Sequence, residues 1–174
     1  MNDLKNNLAQ LITRGGIYYN VPGSTRQEIM SNVIGNLHLA TVAQQRKFPA
    51  HSLPSEKNDM LLQAIMEREA LISTGIEKGI ALPHPRTPVL EDGEEPFVAI
   101  AFPHTPLDWG TPDGSHVHTI FLIVSESSKQ HLDTLLKINF LCQQEDFYRL
   151  ISANAPKDEI IAAIEKAENS WVHV

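Results

Sequence analysis

Residues 117–124 read VHTIFLIV, and residues 127–142 read SSKQHLDTLLKINFLC. The first stretch is rich in β-branched and aromatic side chains, the composition of a strand buried in a sheet. The second is a helix capped by Ser127 or Ser128, with Leu132, Leu135, Leu136 and Ile138 on a broad apolar face. Cys142 continues that face and reads as inert core. A buried strand feeding directly into a helix is the repeating unit of an α/β layer protein.

The same alternation extends outward. PFVAIAF (96–102) is a second buried strand, joined to the first by the turn-rich LDWGTPDG (107–114). Upstream, Leu4, Leu8, Leu11 and Ile12 fall at helical spacing, and Gly15-Gly16 ends that helix. GIYYNVP (16–22) reads as a brief strand closed by Pro22-Gly23. STRQE (24–28) offers two overlapping capping boxes, Ser24 with Gln27 and Thr25 with Glu28. The helix beyond buries Ile29, Val33, Ile34 and Leu37. Residues 40–54 carry two prolines and no period, the pattern of a surface loop. Ser55 caps a further helix with Leu61, Leu62, Ile65 and Leu71 toward the core. Gly75 and Gly79 bracket a turn, and Pro156 opens a last helix carrying Ile160, Ile161 and Ile164. The expected fold is an α/β sandwich, one domain over residues 1–174, with a mixed β-sheet flanked by helices.

Composition limits the function. The chain has 174 residues and a net charge of −7. That balance argues against nucleic acid or an anionic membrane as partner. Cys142 is the only cysteine, so neither a disulfide framework nor a cysteine-based zinc site is available. The N-terminus lacks a signal-peptide pattern, and no apolar run approaches the roughly 20 residues of a membrane span. A cytoplasmic protein is expected. His116 and His118 share one face of a strand, and with His84, His104 and His131 they raise a metal-site reading. No HExxH-like acidic residue supports it, so no metal and no cofactor are expected. His118 is placed near the rim of the active site or under it, and His116 at an exposed loop end.

The chemistry concentrates in GIALPHPR, residues 79–86. Prolines 83 and 85 exclude helix around His84 and present its ring on a rigid, extended segment. If that segment stays extended, Arg86 shares the face of His84. A neutral imidazole beside a guanidinium is a poor general base, because the cation disfavours protonation. It suits nucleophilic attack on an anion, as phosphoryl transfer requires. A surface histidine in a proline-rich turn is the competing account. Arg68, at the edge of a buried helix face, needs an anionic partner; Glu67 or Glu69 would serve in a purely structural account. His131 lies in the first turn of its helix, where free N–H groups attract anions. Arg86, Ser127 and Ser128 are candidate phosphate-binding residues. An ordinary histidine titrates near 6.5, so phosphate acceptance is expected to fall below roughly pH 6.

ALISTGIEKGIALPHPR, then LDWGTPDGSHVHTIFLIVS, then HLDTLLKINFLC, resemble the fructose/mannitol-type IIA domain of the bacterial sugar phosphotransferase system. The likeness runs from about Leu11 to the C-terminus and is nearest to the nitrogen-regulatory IIA proteins, which include a GGIYYNVPG-like stretch. The resemblance implies an α/β sandwich with a mixed sheet. It implies that His84 accepts phosphate on a ring nitrogen, usually Nε2, from the histidine phosphocarrier protein. The phosphate then passes to a IIB partner or serves as a regulatory state. It matches Arg68 and His131 to the family's site arginine and second histidine. One departure stands out: Lys78 occupies the position six before the histidine where the family carries an acidic residue, with Glu77 one step earlier. Either Glu77 substitutes, or a basic neighbour strengthens phosphate binding and slows its release. With no IIB or IIC segment in these 174 residues, a free-standing regulator is the expectation. The alternatives are a sugar-uptake IIA component and a non-catalytic binding module switched by phosphorylation.

Overall fold

The computed structural model of the chain describes residues 6–44 and 54–171. Helix α1 (Leu8–Gly15) leads into β1 (Ile17–Val21) and α2 (Arg26–Gln44). Helix α3 (Pro54–Leu71) precedes β2 (Gly75–Ile76), a single 3₁₀ turn and β3 (Ile80–Ala81). Then come β4 (Phe97–Pro103), β5 (Thr119–Val124), α4 (Ser128–Gln143), α5 (Glu145–Ser152) and α6 (Lys157–Trp171).

The strands form one mixed sheet in the order β1-β4-β5-β3-β2. β1 runs parallel to β4 and β3 parallel to β5, whereas β4 and β5, and β2 and β3, are antiparallel. Side chains alternate faces along each strand. Val98, Ile100, Phe102, Phe121 and Ile123 pack with α1, α4, α5 and α6. Ala99, Ala101, Ile120, Leu122 and Val124 pack with α2 and α3. Both faces are therefore covered, which is why PFVAIAF and TIFLIV are apolar at nearly every position. Each buried Ile, Leu or Phe contributes roughly 1.5–3 kcal/mol, so this two-sided burial outweighs any single surface bond. The sandwich expected from the sequence is the observed architecture.

Local signals place the elements. The Asn7 side chain caps α1 by accepting from Gln10 N, and Glu168 of α6 accepts from Leu8 N and Ala9 N at 2.6 and 3.1 Å. Gly15 lies so close to β4 that a Cβ would stand 2.1 Å from the Val98 carbonyl oxygen, a contact only glycine permits. Thr25 caps α2 through Glu28 N, while Glu28 reaches past it to the N–H and hydroxyl of Ser24. One box of the expected pair thus forms, displaced by one residue.

Several expectations need correction. Residues 40–44 continue α2 rather than opening a loop, and 45–53 lie outside the described residues. α3 starts at Pro54, so Ser55 lies inside its first turn and not at its cap. Leu71 is exposed, as are Leu132 and Leu136. In α3 the covered face carries Ile65 and Glu69, which leaves Leu71, and Ile72 just beyond the helix, on the outside. In α4 apolar residues occupy more than one face; the sheet covers Thr134, Ile138, Leu141 and Cys142 and leaves Leu132, Leu136 and Phe140 to solvent. Cys142 is buried as expected, and burial pushes its thiol up to about 12.

Candidate functional site

His84 sits where β3 ends. Leu82 N donates to Thr74 O at 3.0 Å, and Ile123 N donates to Pro83 O at 3.0 Å, so both flanks of the proline segment are pinned to the fold. The His84 Nδ1 lies 2.7 Å from the Leu82 carbonyl oxygen. A carbonyl only accepts, so Nδ1 carries the proton and Nε2 keeps a bare lone pair. The ring is half-buried. Burial lowers its pKa, opposed by the Leu82 bond; the Arg68 cation lowers it further, and Glu69 acts in the opposite sense.

The structure brings His131 and Arg68 to this ring. The His84 and His131 centroids are 4.4 Å apart, tilted by 46°. Burial, then His84, then Arg68 push the His131 pKa down to about 4. Two neutral imidazoles beside a fixed cation lack one component, a negative charge. Arg68 is held by donating from Nη1 to Ile72 O at 2.9 Å. The expected pairing of Arg68 with Glu67 or Glu69 does not form; among the described residues its guanidinium has no carboxylate partner. Glu69 points the other way, into the protein, toward Arg26 and Thr74.

Arg86, Ser127 and Ser128 gather with His131 at a neighbouring cleft. With Pro85, Thr87 and the end of β5 they line a shallow cleft. Ser127 is the cap of α4, its Oγ accepting from Gln130 N at 3.2 Å and its carbonyl from His131 N at 3.0 Å. The hydroxyl proton remains able to donate outward. The chain bends at Arg86, so the extended geometry behind the shared-face expectation ends there. All six candidate residues thus fall into two groups that share His131.

Two expectations place residues at the wrong end of the sheet. Lys78 N donates to Asp113 Oδ2, its Nζ reaches Gln143 Oε1 at 3.4 Å, and the ammonium lies 5.3 Å from the Tyr148 ring centroid. Gln143 ends α4, whereas His131 lies in its first turn. Twelve residues of helix span about 18 Å. Neither reading in which Lys78 or its turn acts on the phosphate therefore fits. His118 is at that far end too, with Nε2 3.0 Å from Lys78 O and Nδ1 2.8 Å from Thr119 Oγ1. It braces the turn and does not line the His84 site. The strand begins only at Thr119, and among the described residues no three His, Cys, Asp or Glu side chains converge as a metal site.

Sequence reasoning missed the roles of Glu69, Thr74 and the Leu82 carbonyl. The signal available was the pairing of an acidic residue on the buried side of α3 with STG just after it.

Comparison with known proteins identifies the family and the fold. The family described as "Phosphoenolpyruvate-dependent sugar phosphotransferase system, EIIA 2" matches residues 16–167. A "Nitrogen regulatory protein" of Pseudomonas aeruginosa is 29% identical over 141 residues, covering 80% of this chain and 82% of its own. A "PTS system fructose-specific EIIABC component" of Bacillus subtilis is 24% identical over 91% of this chain, which spans 23% of that longer protein. Among solved structures, the nitrogen regulatory protein IIA-Ntr from Neisseria meningitidis superposes with a TM-score of 0.68 at 18% identity, covering 90% of this chain and 97% of the other. The mannitol IIA protein of Escherichia coli, solved in complex with phosphorylated IIB, gives 0.65 at 15% identity, covering 87% and 95%. The chain belongs to the EIIA type 2 family of the phosphoenolpyruvate-dependent sugar phosphotransferase system.

Proposed function

We propose that this protein is a cytoplasmic phosphocarrier in which His84 Nε2 accepts a phosphoryl group from the phosphohistidine of the histidine phosphocarrier protein. The observation that carries the reading is the bare Nε2 lone pair, set by the Nδ1–Leu82 bond beside His131 and Arg68. The lone pair attacks phosphorus as the donor's N–P bond breaks, and that electron pair returns to the donor ring. Positive charge then develops on the His84 ring and is met at Nδ1–H by the Leu82 carbonyl. Arg68 and one N–H of His131 face the phosphoryl oxygens, and Arg86, Ser127 and Ser128 offer further donors. No proton needs to move.

A protein donor fits the surroundings. Leu71 and Ile72 beside Arg68, and Leu132 beside His131, are exposed large apolar residues around a polar centre. Incubation with the general phosphotransferase components and phosphoenolpyruvate, read by intact mass, tests the function. A single acid-labile phosphoryl group is expected, and none at all would overturn it.

We favour a nitrogen-type regulatory role, supported by the match to the Pseudomonas protein over most of both chains. A sugar-uptake role, with onward transfer to a IIB, has its own support in the fructose-type relative. Transfer of label from the phosphorylated protein to an added IIB distinguishes the two.

A further inference from the structure

We infer that Glu69 is a positioning residue for the phospho-acceptor, holding His84 in its Nδ1–H tautomer through Thr74 and Leu82. The role rests on the phosphocarrier reading only for its consequence; the geometry stands apart from it. Glu69 is 4% exposed, the most buried charged side chain among the described residues. Such a group is costly unless it is paired and hydrogen-bonded. Its carboxylate accepts from Thr74 N at 2.9 Å and from Thr74 Oγ1, and Arg26 Nη1 donates to it at 3.4 Å. Thr74 is buried as well. Its carbonyl accepts from Leu82 N at 3.0 Å. The Leu82 carbonyl then accepts from His84 Nδ1 at 2.7 Å.

Four residues are thereby joined end to end, from a buried carboxylate to the reacting ring. The links are positional. The N–H and the C=O of Thr74 belong to different peptide groups, so no charge is relayed along the chain. What is transmitted is placement: Thr74, fixed at both its N–H and its hydroxyl, holds Leu82 N through its carbonyl, while Ile123 N holds Pro83 O, so the Leu82 oxygen that His84 faces is set between two anchored points. β3 is only two residues long; beyond it the chain is held on one flank by Ile123 N on Pro83 O and on the other by Thr74 O on Leu82 N, and the carboxylate anchor fixes the second of these. Adjacent residues of α3 thus divide the work, Arg68 facing the two imidazoles from outside and Glu69 holding the acceptor loop from within.

The test compares Glu69→Ala with Glu69→Gln in the full chain, using ¹⁵N chemical shifts of the His84 ring to read its tautomer and intact mass to follow phosphorylation. The wild type is expected to show the Nδ1–H form. Glu69→Ala should mix in the Nε2–H form and slow acceptance by about 10- to 100-fold, while Glu69→Gln, which keeps an oxygen acceptor, restores the wild-type shifts. If the alanine variant does not fold, Thr74→Val against Thr74→Ser makes the same comparison at the next link. A folded Ala or Val variant with wild-type shifts overturns the proposal, as does a wild type already in the Nε2–H form. A wild type that takes no phosphoryl group, with the tautomer change still seen in Glu69→Ala, removes the phosphocarrier reading and leaves the positioning role standing.

Discussion

The rings of His84 and His131 face each other with centroids 4.4 Å apart; burial and the Arg68 cation lower the proton affinity of both, and His84 lowers that of His131 further. They come from segments 47 positions apart, one on a proline-locked strand end and one in a capped first turn. Their shared state at neutral pH is uncharged.

Loss of His84 should abolish phosphorylation. His84→Ala is expected to show no acid-labile mass increase after incubation with the general components. The ring is half-buried and donates one hydrogen bond, so unfolding free energy should fall by about 1 kcal/mol at most. Stoichiometric labelling of the alanine variant at another histidine would refute the assignment.

Arg68→Ala should slow acceptance by about 10- to 100-fold, the kinetic equivalent of one charge-assisted hydrogen bond. Arg68 pairs with no carboxylate among the described residues, so its melting temperature should stay close to that of the wild type. A lower melting temperature with normal transfer would assign Arg68 a structural task instead.

The pH profile differs from that of an ordinary histidine. Because burial and Arg68 hold the His84 pKa below its usual value, the decline of acceptance should have its midpoint below the roughly 6.5 of an ordinary histidine. Loss of half the rate at 6.5 or above would contradict this. Stability carries the matching sign. Between about 6.5 and about 4 the unfolded chain binds a proton that folded His131 refuses. Stability therefore falls as pH drops through that window and levels off below it. Urea midpoints at pH 7 and pH 5 should converge more closely in His131→Gln than in the wild type.

His131→Ala should weaken transfer without removing the acceptor, and His131→Gln should recover part of it through its amide N–H. Equal rates in the wild type and both variants would show that His131 takes no part. Abolition in the alanine variant, with His84 still reactive to a small phosphoryl donor, would place His131 in protein docking.

Lys78→Glu restores an acidic residue before the PHP segment. At about 18 Å from the site its charge is screened at physiological salt, so transfer should change by less than about twofold. A larger change would bring the turn back into the mechanism.

Much of this protein is legible along the chain. Periodicity and caps locate α1, the start of α2 and α4, because capping and amphipathic spacing act within one or two turns. Composition marks β4 and β5 because both faces of those strands are covered. The two prolines present His84 by restricting its own backbone, and the first-turn position of His131 follows from Ser127.

The tertiary structure alone decided the rest. Spacing shows that Leu132, Leu136 and Ile138 lie on a helix but not which apolar face the sheet takes, so two of the three are exposed. Lys78 and His84 are six residues apart, but an extended strand carries them to opposite ends of α4. Glu69 turns inward to Arg26, 43 positions away, rather than to its neighbour Arg68. The bare Nε2 depends on where the Leu82 carbonyl points, and that is set by Thr74 and by the strand beside it. Sequence governs interactions that close within a few residues; which face is buried, which charges pair and which tautomer is held arise from contacts that exist only once distant segments have packed.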